Sequence, residues 1–367
     1  MDETRLSGRI LTPAGWLEGT LRCTAQVLAI EPGRAELDRW IVPGFIDLHV
    51  HGGQGADCMA GADAVRRMAV FHARHGTTSL LATTVTARAD DLRHAMAGIA
   101  AAMRASGPGA RVLGAHLEGP FISPDALGAQ PPFAIPPDVP LLEELGATAP
   151  IRVATYAPEV DGDHALLAAF MRLGTRAQIG HTTCSYAQAR AALAAGAAGF
   201  THLYNAMSGL HHRSGGAVSA ALAWGQSAEL ILDLHHVDEG AALSALRAIP
   251  RLHCVTDAVA AAGMPDGEYR LGTHRIFKRG ETVHLADGGL AGSVLTMDRA
   301  FRNLLALGLP LAEAARRCGT LPAEYLGLAE RGRLVPGAAA DLVVVDGAGA
   351  LVSVLAEGRP VSAVAVG

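Results

Sequence analysis

Short apolar runs alternate with helix-length segments between residues 45 and 256, and this alternation constrains the fold more than any other feature of the sequence. Strands that are buried on both faces read as continuous apolar runs, and crossover helices between them make the strands parallel. Eight strands are predicted, at residues 45–50, 78–83, 112–117, 151–156, 176–180, 199–201, 229–234 and 252–256. Eight such units predict an α/β protein with a TIM (β/α)8 barrel.

Helices are predicted between these strands and after the last of them, at residues 63–75, 90–105, 163–173, 186–195, 238–248, 293–307 and 311–318. Strand-like patterns return at both ends of the chain, at 6–11, 26–31, 340–345 and 350–367. We therefore predict a small β-sandwich domain formed from both termini. Its parts are residues 1–42 and 331–367, and the catalytic barrel is residues 43–330.

The amino-acid composition argues against nucleic acids and membranes as binding partners. The 367 residues carry a formal net charge of −5 and lack the basic excess of nucleic-acid-binding proteins. The chain has a single lysine, Lys278, and no GxxxxGK[ST] phosphate loop. Charged residues interrupt every apolar run before about 18 residues accumulate, so no membrane role is implied. A small-molecule substrate is the expected partner.

Cysteine usage and the N-terminus bear on the compartment. The five cysteines are widely spaced and form no CxxC pair, so neither a disulfide framework nor a thiolate zinc site is predicted. The first residues show no apolar segment typical of a secretory signal. We expect a cytoplasmic protein with reduced thiols.

Polar side chains gather at the C-terminal ends of the predicted strands, where TIM barrels place their active sites. His49 and His51 alternate along the first strand and so face the same side, Glu118 follows the third strand, and His181 and His202 follow the fifth and sixth. Taken singly, each could be a hydrogen-bonded core histidine or a capping carboxylate. Together, imidazoles and a carboxylate without thiolates suit Zn²⁺ or a similar divalent ion. The coincidence predicts a catalytic metal site.

Asp257 ends the eighth apolar strand, which places a carboxylate beside the predicted metal. Such a group can take a proton from metal-activated water and deliver it to a leaving group. The alternative is an Asp that caps a following helix. We favour the role of general base and acid.

Two further segments suggest contacts to a substrate. Asn205 and Arg213 come soon after His202, and a guanidinium binds two phosphate oxygens at once. Arg213 could equally lie on a solvated loop. His236 follows the seventh strand, where a ligand contact and a packing role both fit.

The motifs resemble those of the N-acetylglucosamine-6-phosphate deacetylases of the amidohydrolase superfamily. The similar runs occur in order along the chain, at 43–53, 116–121, 180–182, 201–207, 234–238, 255–258 and 290–293. The tail at 336–344 is similar to the superfamily's return to its small β domain. The resemblance therefore covers essentially the full chain.

The resemblance implies an activity and a set of roles. The enzyme would remove the acetyl group of N-acetylglucosamine 6-phosphate with a metal-activated water, giving glucosamine 6-phosphate and acetate. Glu118, His181 and His202 would hold one ion, His49 and His51 would allow a second, and Asp257 would be the general base and acid. Other residues would contact the sugar, its phosphate or the acetyl group, namely Ala129, Gln130, Asn205, Ala206, Arg213, His236, Leu290, Ala291 and Gly292. The arginine that matches Arg213 serves the neighbouring subunit in relatives, which implies a homodimer.

The sequence departs from the family at one substrate position. The family's Gly-Ala-His reads Gly128-Ala129-Gln130 here, and an amide can donate a hydrogen bond but cannot be cationic. N-acetylgalactosamine 6-phosphate, another N-acyl amino sugar phosphate or an N-acyl amino acid are therefore alternative substrates. A non-catalytic sugar-phosphate-binding protein is a further alternative, although Asp257 argues against it because binding alone needs no general base.

Overall fold

The computed structural model describes residues 2–34, 38–105 and 107–361. Its largest sheet contains eight parallel strands in an order that follows the chain from the first to the eighth. These barrel strands, numbered one to eight below, are Phe45–Val50, Thr77–Thr84, Arg111–Glu118, Ile151–Tyr156, Arg176–Ile179, Gly199–Phe200, Ser227–Ile231 and Arg251–Val255. The predicted TIM barrel is confirmed, with strand ends that shift by a few residues.

The barrel strands are buried on both faces, which explains why their sequences read as apolar runs. Every residue of strand two, Thr77–Thr84, is buried, and its threonines and leucines suit a pleated surface between two layers. Strand seven is shorter than predicted, because it ends at Ile231 and the chain then turns around Asp233. His235 and His236 consequently lie on a loop several residues beyond the strand end.

Helices and short helical turns follow the strands. The α-helices are Ala62–Ala73, Ala89–Arg104, Val139–Thr148, Ala165–Arg172, Tyr186–Ala195, Ala217–Trp224, Glu239–Ala248, Met297–Ala306, Leu311–Ala315 and Leu321–Leu326. The 3-10 turns are Cys58–Ala60 and Pro158–Val160, and a π-helical turn covers Arg316–Thr320. The helices Val139–Thr148 and Ala217–Trp224 were not predicted, and the predicted helix at 293–307 begins only at Met297. No described helix is long and apolar enough to cross a membrane.

Strands one and eight close the barrel through a buried side chain as well as through backbone. Asp47, which is fully buried, accepts hydrogen bonds from the Thr256 backbone N–H at 3.2 Å and from the Thr256 hydroxyl at 2.6 Å. The backbone N–H of Asp257 donates to the carbonyl of His49 at 2.8 Å. This seam therefore brings the first histidine motif directly beside Asp257.

A second sheet contains seven strands from both ends of the chain. They are Thr4–Thr12, Gly15–Cys23, Val27–Pro32, Trp40–Pro43, Leu342–Val345, Leu351–Ala356 and Arg359–Val361. Trp40–Pro43 lies between Thr4–Thr12 and Leu342–Val345 and so joins the two halves. Ile10, Leu21, Ile41 and Leu342 pack into a separate small core. The predicted β unit from both termini is confirmed; the predicted domain limits stay a prediction, and residues 362–367 of the predicted last strand lie outside the described residues.

A three-stranded antiparallel sheet, which was not predicted, lies between strand eight and the helix Met297–Ala306. Its strands are Gly267–Leu271, His274–Arg279 and Thr282–His284. The turn after Leu271 packs Gly272 close to the Pro131 and Val85 side chains. The insertion therefore covers part of the barrel mouth.

Candidate active site

Buried imidazoles and carboxylates meet at the C-terminal mouth of the barrel. The Nε2 atoms of His181 and His202 lie 3.2 and 3.0 Å from Glu118 Oε1. Those of His49 and His51 lie 3.4 and 3.2 Å from the Oε1 and Oε2 atoms of the same carboxylate. Glu118 thus lies between two pairs of histidines, and all five residues stand at the barrel mouth.

Asp257 completes the cluster on the side of the first histidine pair. Its Oδ1 atom lies 3.5 Å from His49 Nε2 and 3.2 Å from His51 Nε2. Burial raises the pKa of Asp257, but His49 and His51 outweigh this effect and lower the pKa to about 2. Asp257 is therefore ionised at neutral pH.

The outer nitrogens of the histidines are held by other groups. The Nδ1 atom of His51 lies 3.0 Å from the carbonyl oxygen of Thr83, and that of His181 lies 3.0 Å from the carbonyl oxygen of Ala126. A carbonyl only accepts, so each Nδ1 carries the proton and donates it. When these rings are neutral, as metal ligands must be, their Nε2 atoms present lone pairs to the cluster.

The backbone is strained where it presents several of these side chains. His181, His202 and Asp257 have positive φ values of 46°, 26° and 51°, in the region that non-glycine residues rarely adopt. Each of the three directly follows or lies just beyond a barrel strand. Strain of this kind persists only where the surrounding structure fixes it, and it clusters at functional sites.

The donor set fits a divalent metal centre. The Nε2 atoms of His181 and His202 face each other at 3.0 Å, and those of His49 and His51 at 3.3 Å. Facing lone pairs repel unless a cation lies between them. His49, His51 and Glu118 form one group, and Glu118, His181 and His202 form another, each with ligand atoms within 4.8 Å of one another. Nitrogen and oxygen donors without thiolate suit a borderline divalent ion.

A cavity of 130 Å³ opens onto this cluster. Most residues predicted to contact the substrate line it. They are Ala129, Gln130, Asn205, Ala206, His236, Leu290 and Gly292. Gly128 and Leu271 also line it and were not predicted, whereas Ala291 is buried outside the lining.

Gln130 occupies a defined position in the cavity wall. Its Oε1 atom accepts a hydrogen bond from the Thr86 backbone N–H at 2.6 Å, and its Nε2 atom donates to Glu118 Oε2. These partners fix the orientation of the amide, because an N–H needs an acceptor and a carboxylate needs a donor. Gln130 therefore touches the central carboxylate as well as the cavity.

His236 is held by a carboxylate that sequence reasoning did not single out. Asp233 Oδ2 lies 2.7 Å from His236 Nδ1, and Asp233 Oδ1 accepts from the backbone N–H groups of His235 and His236. Burial lowers the pKa of His236, but Asp233 outweighs it, and the pKa lies above the ordinary 6.5. The signal in the sequence was an Asp three residues before a histidine at a strand end.

Arg213 does not reach the cavity of its own chain. It lies on an exposed loop before the helix Ala217–Trp224, and the neighbouring Leu210 is 66% exposed. Among the described residues, neither lysine nor arginine lines the cavity. The structure thus brings together every predicted metal ligand and Asp257, but it leaves Arg213 outside the site.

Comparisons with known proteins agree with this geometry. The profile of the amidohydrolase family matches residues 40–366. N-acetylgalactosamine-6-phosphate deacetylase of Escherichia coli O157:H7 is 41% identical over 92% of this chain and 93% of its own length. N-acetylglucosamine-6-phosphate deacetylase of Bacillus subtilis is 39% identical over 85% and 82%. The chain belongs to the N-acetylglucosamine-6-phosphate deacetylases of the amidohydrolase family.

A solved structure of another deacetylase extends the likeness to the whole fold. N-acetylglucosamine-6-phosphate deacetylase from Mycobacterium smegmatis, solved as a point mutant in complex with N-acetyl-D-glucosamine-6-phosphate, is 35% identical and gives a TM-score of 0.92. The match covers 98% of this chain and all of the other, 100%. The family resemblance predicted from the motifs is therefore confirmed.

Glu229 is, after Asp233, a second functional candidate that was not predicted from the sequence of this deacetylase. It lies in strand seven, is fully buried, and places Oε2 3.0 Å from His49 Nδ1. The signal was present in the sequence, because Glu229 is the only charged residue of a buried strand, Ser227–Ile231. A buried carboxylate is rarely placed without a partner.

Proposed function

We propose that the chain is a metal-dependent deacetylase that hydrolyses N-acetylglucosamine 6-phosphate to glucosamine 6-phosphate and acetate. The observation that carries the proposal is the position of the Asp257 carboxylate, within 3.5 Å of both His49 Nε2 and His51 Nε2 in a buried cluster at the barrel mouth. The deacetylases of similar sequence from several organisms support the same reaction.

Zinc is the metal that we propose, with Glu118, His181 and His202 holding one ion and His49 and His51 holding a second beside Glu118. The donors are imidazole nitrogens and carboxylate oxygens, which Zn²⁺ accepts readily. Two overlapping ligand groups that share Glu118 support two ions per subunit. When bound, such ions activate water at neutral pH and polarise the acyl carbonyl.

Asp257 carries the proton transfers in the proposed reaction. The attacking water forms a new C–O bond at the acetyl carbon and gives a proton to Asp257. The C–N bond then breaks, and Asp257 returns the proton to the departing amine nitrogen, so acetate and a free amine result. The first step requires an ionised carboxylate, because only that form accepts a proton, and Asp257 is ionised at neutral pH.

Residues from two subunits are proposed to bind the substrate phosphate. The cavity lining among the described residues contains no lysine or arginine, although a phosphate is bound best by a cationic fork. We assign this role to Arg213 of the other subunit in a homodimer, together with Asn205, the Ala206 backbone and His236. Gln130 would meet the acetamide, and Leu290 to Gly292 would border the sugar or acetyl group.

A cytoplasmic location completes the proposal. The five cysteines are buried free thiols in the described structure. Disulfides are rare in the reducing cytoplasm, so this state agrees with that compartment.

N-acetylgalactosamine 6-phosphate is a second candidate substrate. It is favoured by the 41% identical Escherichia coli relative, which is an N-acetylgalactosamine-6-phosphate deacetylase. The two sugars differ only in the orientation of one ring hydroxyl, so the same metal cluster and Asp257 would act on both.

Acetate release from three substrates tests the proposal. The purified, zinc-supplemented protein is given N-acetylglucosamine 6-phosphate, N-acetylgalactosamine 6-phosphate or unphosphorylated N-acetylglucosamine. We expect the highest kcat/KM on the first and at least about tenfold less on the third, since a charged hydrogen bond contributes about 1.5–3 kcal/mol. Preference for the second substrate would transfer the assignment to the galactosamine epimer, and no release from any of them would overturn it.

A further inference from the structure

We infer that Glu229 is a positioning residue that orients His49 and strengthens binding of the ion held by the His49–His51 pair. This inference rests on the proposed metal-dependent function. Glu229 touches neither the cavity nor any proposed substrate contact. It acts through His49 from beneath the site.

The location of Glu229 suits this role. Strand seven places its side chain inside the barrel, with none of its surface exposed. Its Oε2 atom lies 3.0 Å from His49 Nδ1 and also accepts from the backbone N–H of His202 at 3.4 Å. One carboxylate oxygen therefore contacts the residues that carry a ligand of each proposed ion.

The contact selects one tautomer of His49. An ionised carboxylate has no proton to give, so the Nδ1 atom of His49 must carry the hydrogen. In the neutral ring that binds a metal, the lone pair then lies on Nε2, which faces His51 Nε2 at 3.3 Å and Glu118 Oε1 at 3.4 Å. Glu229 thereby aims the donor atom of His49 at the cluster.

Glu229 also makes His49 different from the other three histidines of the cluster. His51 and His181 donate to neutral backbone carbonyls, and His202 Nδ1 has no hydrogen-bond partner in the described part of the chain. A carboxylate behind an imidazole raises its basicity and hence its strength as a ligand. Of the four histidine ligands, only His49 has this arrangement among the described contacts.

The surroundings of Glu229 indicate that its charge serves the metal centre. Its Oε1 atom has no hydrogen-bond partner in the described structure, and the Nδ1 atom of His116 is 3.8 Å away from it. His116 is already bonded to the Leu48 carbonyl at 2.9 Å and the Thr155 hydroxyl at 2.7 Å. This leaves no vacant nitrogen for an ion between His49, His116 and Glu229. A buried carboxylate with hydrogen bonds to only one of its oxygens destabilises the folded protein, and a nearby divalent cation compensates for this by attracting its charge.

Metal titration of Glu229→Gln tests the inference without reference to substrate. Glutamine keeps the shape and an acceptor for His49 Nδ1 but removes the charge. Bound zinc is measured against a competing chelator over a range of free zinc concentrations. We expect two ions per wild-type subunit, and in Glu229→Gln a 10–100-fold loss of affinity for one ion with the other unchanged. Wild-type affinity for both ions would overturn the inference.

Thr155→Val is the matched control, because Thr155 is equally buried and bonds to His116, which is not a ligand. This variant should bind both ions as wild type does. Thermal unfolding in excess chelator separates a positioning role from a purely structural one. We expect metal-free Glu229→Gln to unfold at or above the wild-type temperature, whereas a structural role would lower it and count against the inference.

The metal measurement also separates this inference from the proposed function. Glu229-dependent binding of the second ion, without acetate release from any N-acyl sugar phosphate, would support the role of Glu229 and overturn only the proposed reaction. Acetate release by the wild type, together with unchanged zinc affinity in Glu229→Gln, would support the proposed reaction and overturn only the role of Glu229.

Discussion

The Asp257 side chain borders the cavity and is also ionised at neutral pH. The residue is 8% exposed and lines the cavity. Its carboxylate stays ionised because His49 and His51 flank it. Its positive φ of 51° turns the side chain from the end of strand eight toward the mouth. A general base needs these properties together: access to the water, and a free lone pair at working pH.

Asp257→Asn should lower kcat by about 10²–10⁴-fold, because an amide cannot accept and return the proton. Zinc content, measured by elemental analysis, should stay at the wild-type value. The exposed Asp125 offers a matched control, and Asp125→Asn should leave kcat unchanged. Near-normal turnover by Asp257→Asn would exclude Asp257 as the base.

Asp233→Asn should change the pH dependence of phosphate binding. Asp233 holds the pKa of His236 above its ordinary value, so His236 stays cationic to a higher pH in the wild type. In the variant the pKa of His236 falls. At pH values between the His236 pKa of the variant and that of the wild type, KM for phosphorylated substrate should rise about fivefold in the variant, because a neutral hydrogen bond to the phosphate is weaker than a charged one.

At a pH below both pKa values, His236 is protonated in either protein, and the two KM values should coincide. The measurement is KM from about pH 5 to about pH 9, with kcat as the control, since His236 takes no part in the proton transfers. Identical dependence of KM on pH in the wild type and the variant would show that His236 does not bind the phosphate.

Much of the cluster at the barrel mouth was predictable from single residues. Histidines and acids at strand ends are visible in a sequence, because strand ends in a TIM barrel converge on one face. Glu229 and Asp233 were not predicted, because their partners are His49 on another strand and His236 on a loop whose geometry follows from an early strand end. Contacts across strands have no periodic signal in the sequence.

At the scale of elements, the seam between strands one and eight depends on Asp47. Burial raises the pKa of Asp47 to about 7, although hydrogen bonds from Thr256 and His49 act in the opposite direction. The side chain substitutes for part of a backbone ladder by bonding to both the N–H and the hydroxyl of Thr256. Barrel closure and the spacing of His49 from Asp257 therefore rest on the same group.

Asp47→Ala should lower the free energy of unfolding by about 3 kcal/mol, because it leaves buried donors of Thr256 and His49 without an acceptor. Denaturant unfolding with excess chelator measures this without a contribution from metal. The exposed Asp63 serves as control, and Asp63→Ala should change the free energy by less than about 1 kcal/mol. Equal stability of Asp47→Ala and wild type would assign closure to the backbone alone.

The barrel strands were predicted well because each one is largely buried on both faces and carries few charged residues, a pattern that needs no knowledge of its neighbours. The helix Val139–Thr148 was missed although Asp138 caps it, with its side chain accepting from the Leu141 N–H at 2.9 Å. The sheet formed by Gly267–Leu271, His274–Arg279 and Thr282–His284 was missed because its strands are short, only partly buried and, in the first two, interrupted by charged residues. Such strands form through pairing and turn geometry, not through an apolar pattern.

At the scale of the molecule, the proposed homodimer makes each site depend on two chains. Arg213 lies outside its own cavity, and the described lining of that cavity offers no guanidinium. Arg213→Ala alone should raise KM for the phosphorylated substrate by about 10–100-fold, the worth of a charged hydrogen bond pair.

Combining the two impaired variants in one dimer, at a substrate concentration well below the raised KM of Arg213→Ala, tests the shared site directly. In a heterodimer of Arg213→Ala and Asp257→Asn, one site combines an intact Asp257 with the other chain's Arg213. The heterodimer should show up to about half of the wild-type activity per dimer, because one of its two sites is complete, whereas each homodimer stays impaired. Failure of the heterodimer to recover activity, with dimerisation confirmed by sedimentation, would show that Arg213 does not act across the interface.

The sheet that joins both chain ends has a consequence for the order in which the protein is made. Trp40–Pro43 bonds on one side to Thr4–Thr12 and on the other to Leu342–Val345. A ribosome releases the first of these partners early and the second only after the whole barrel has been translated. For most of synthesis the N-terminal strands thus carry an open edge, which is prone to pair with other nascent chains. Slow translation or stalling within the barrel region would lengthen that exposure and favour chaperone capture of the emerging chain.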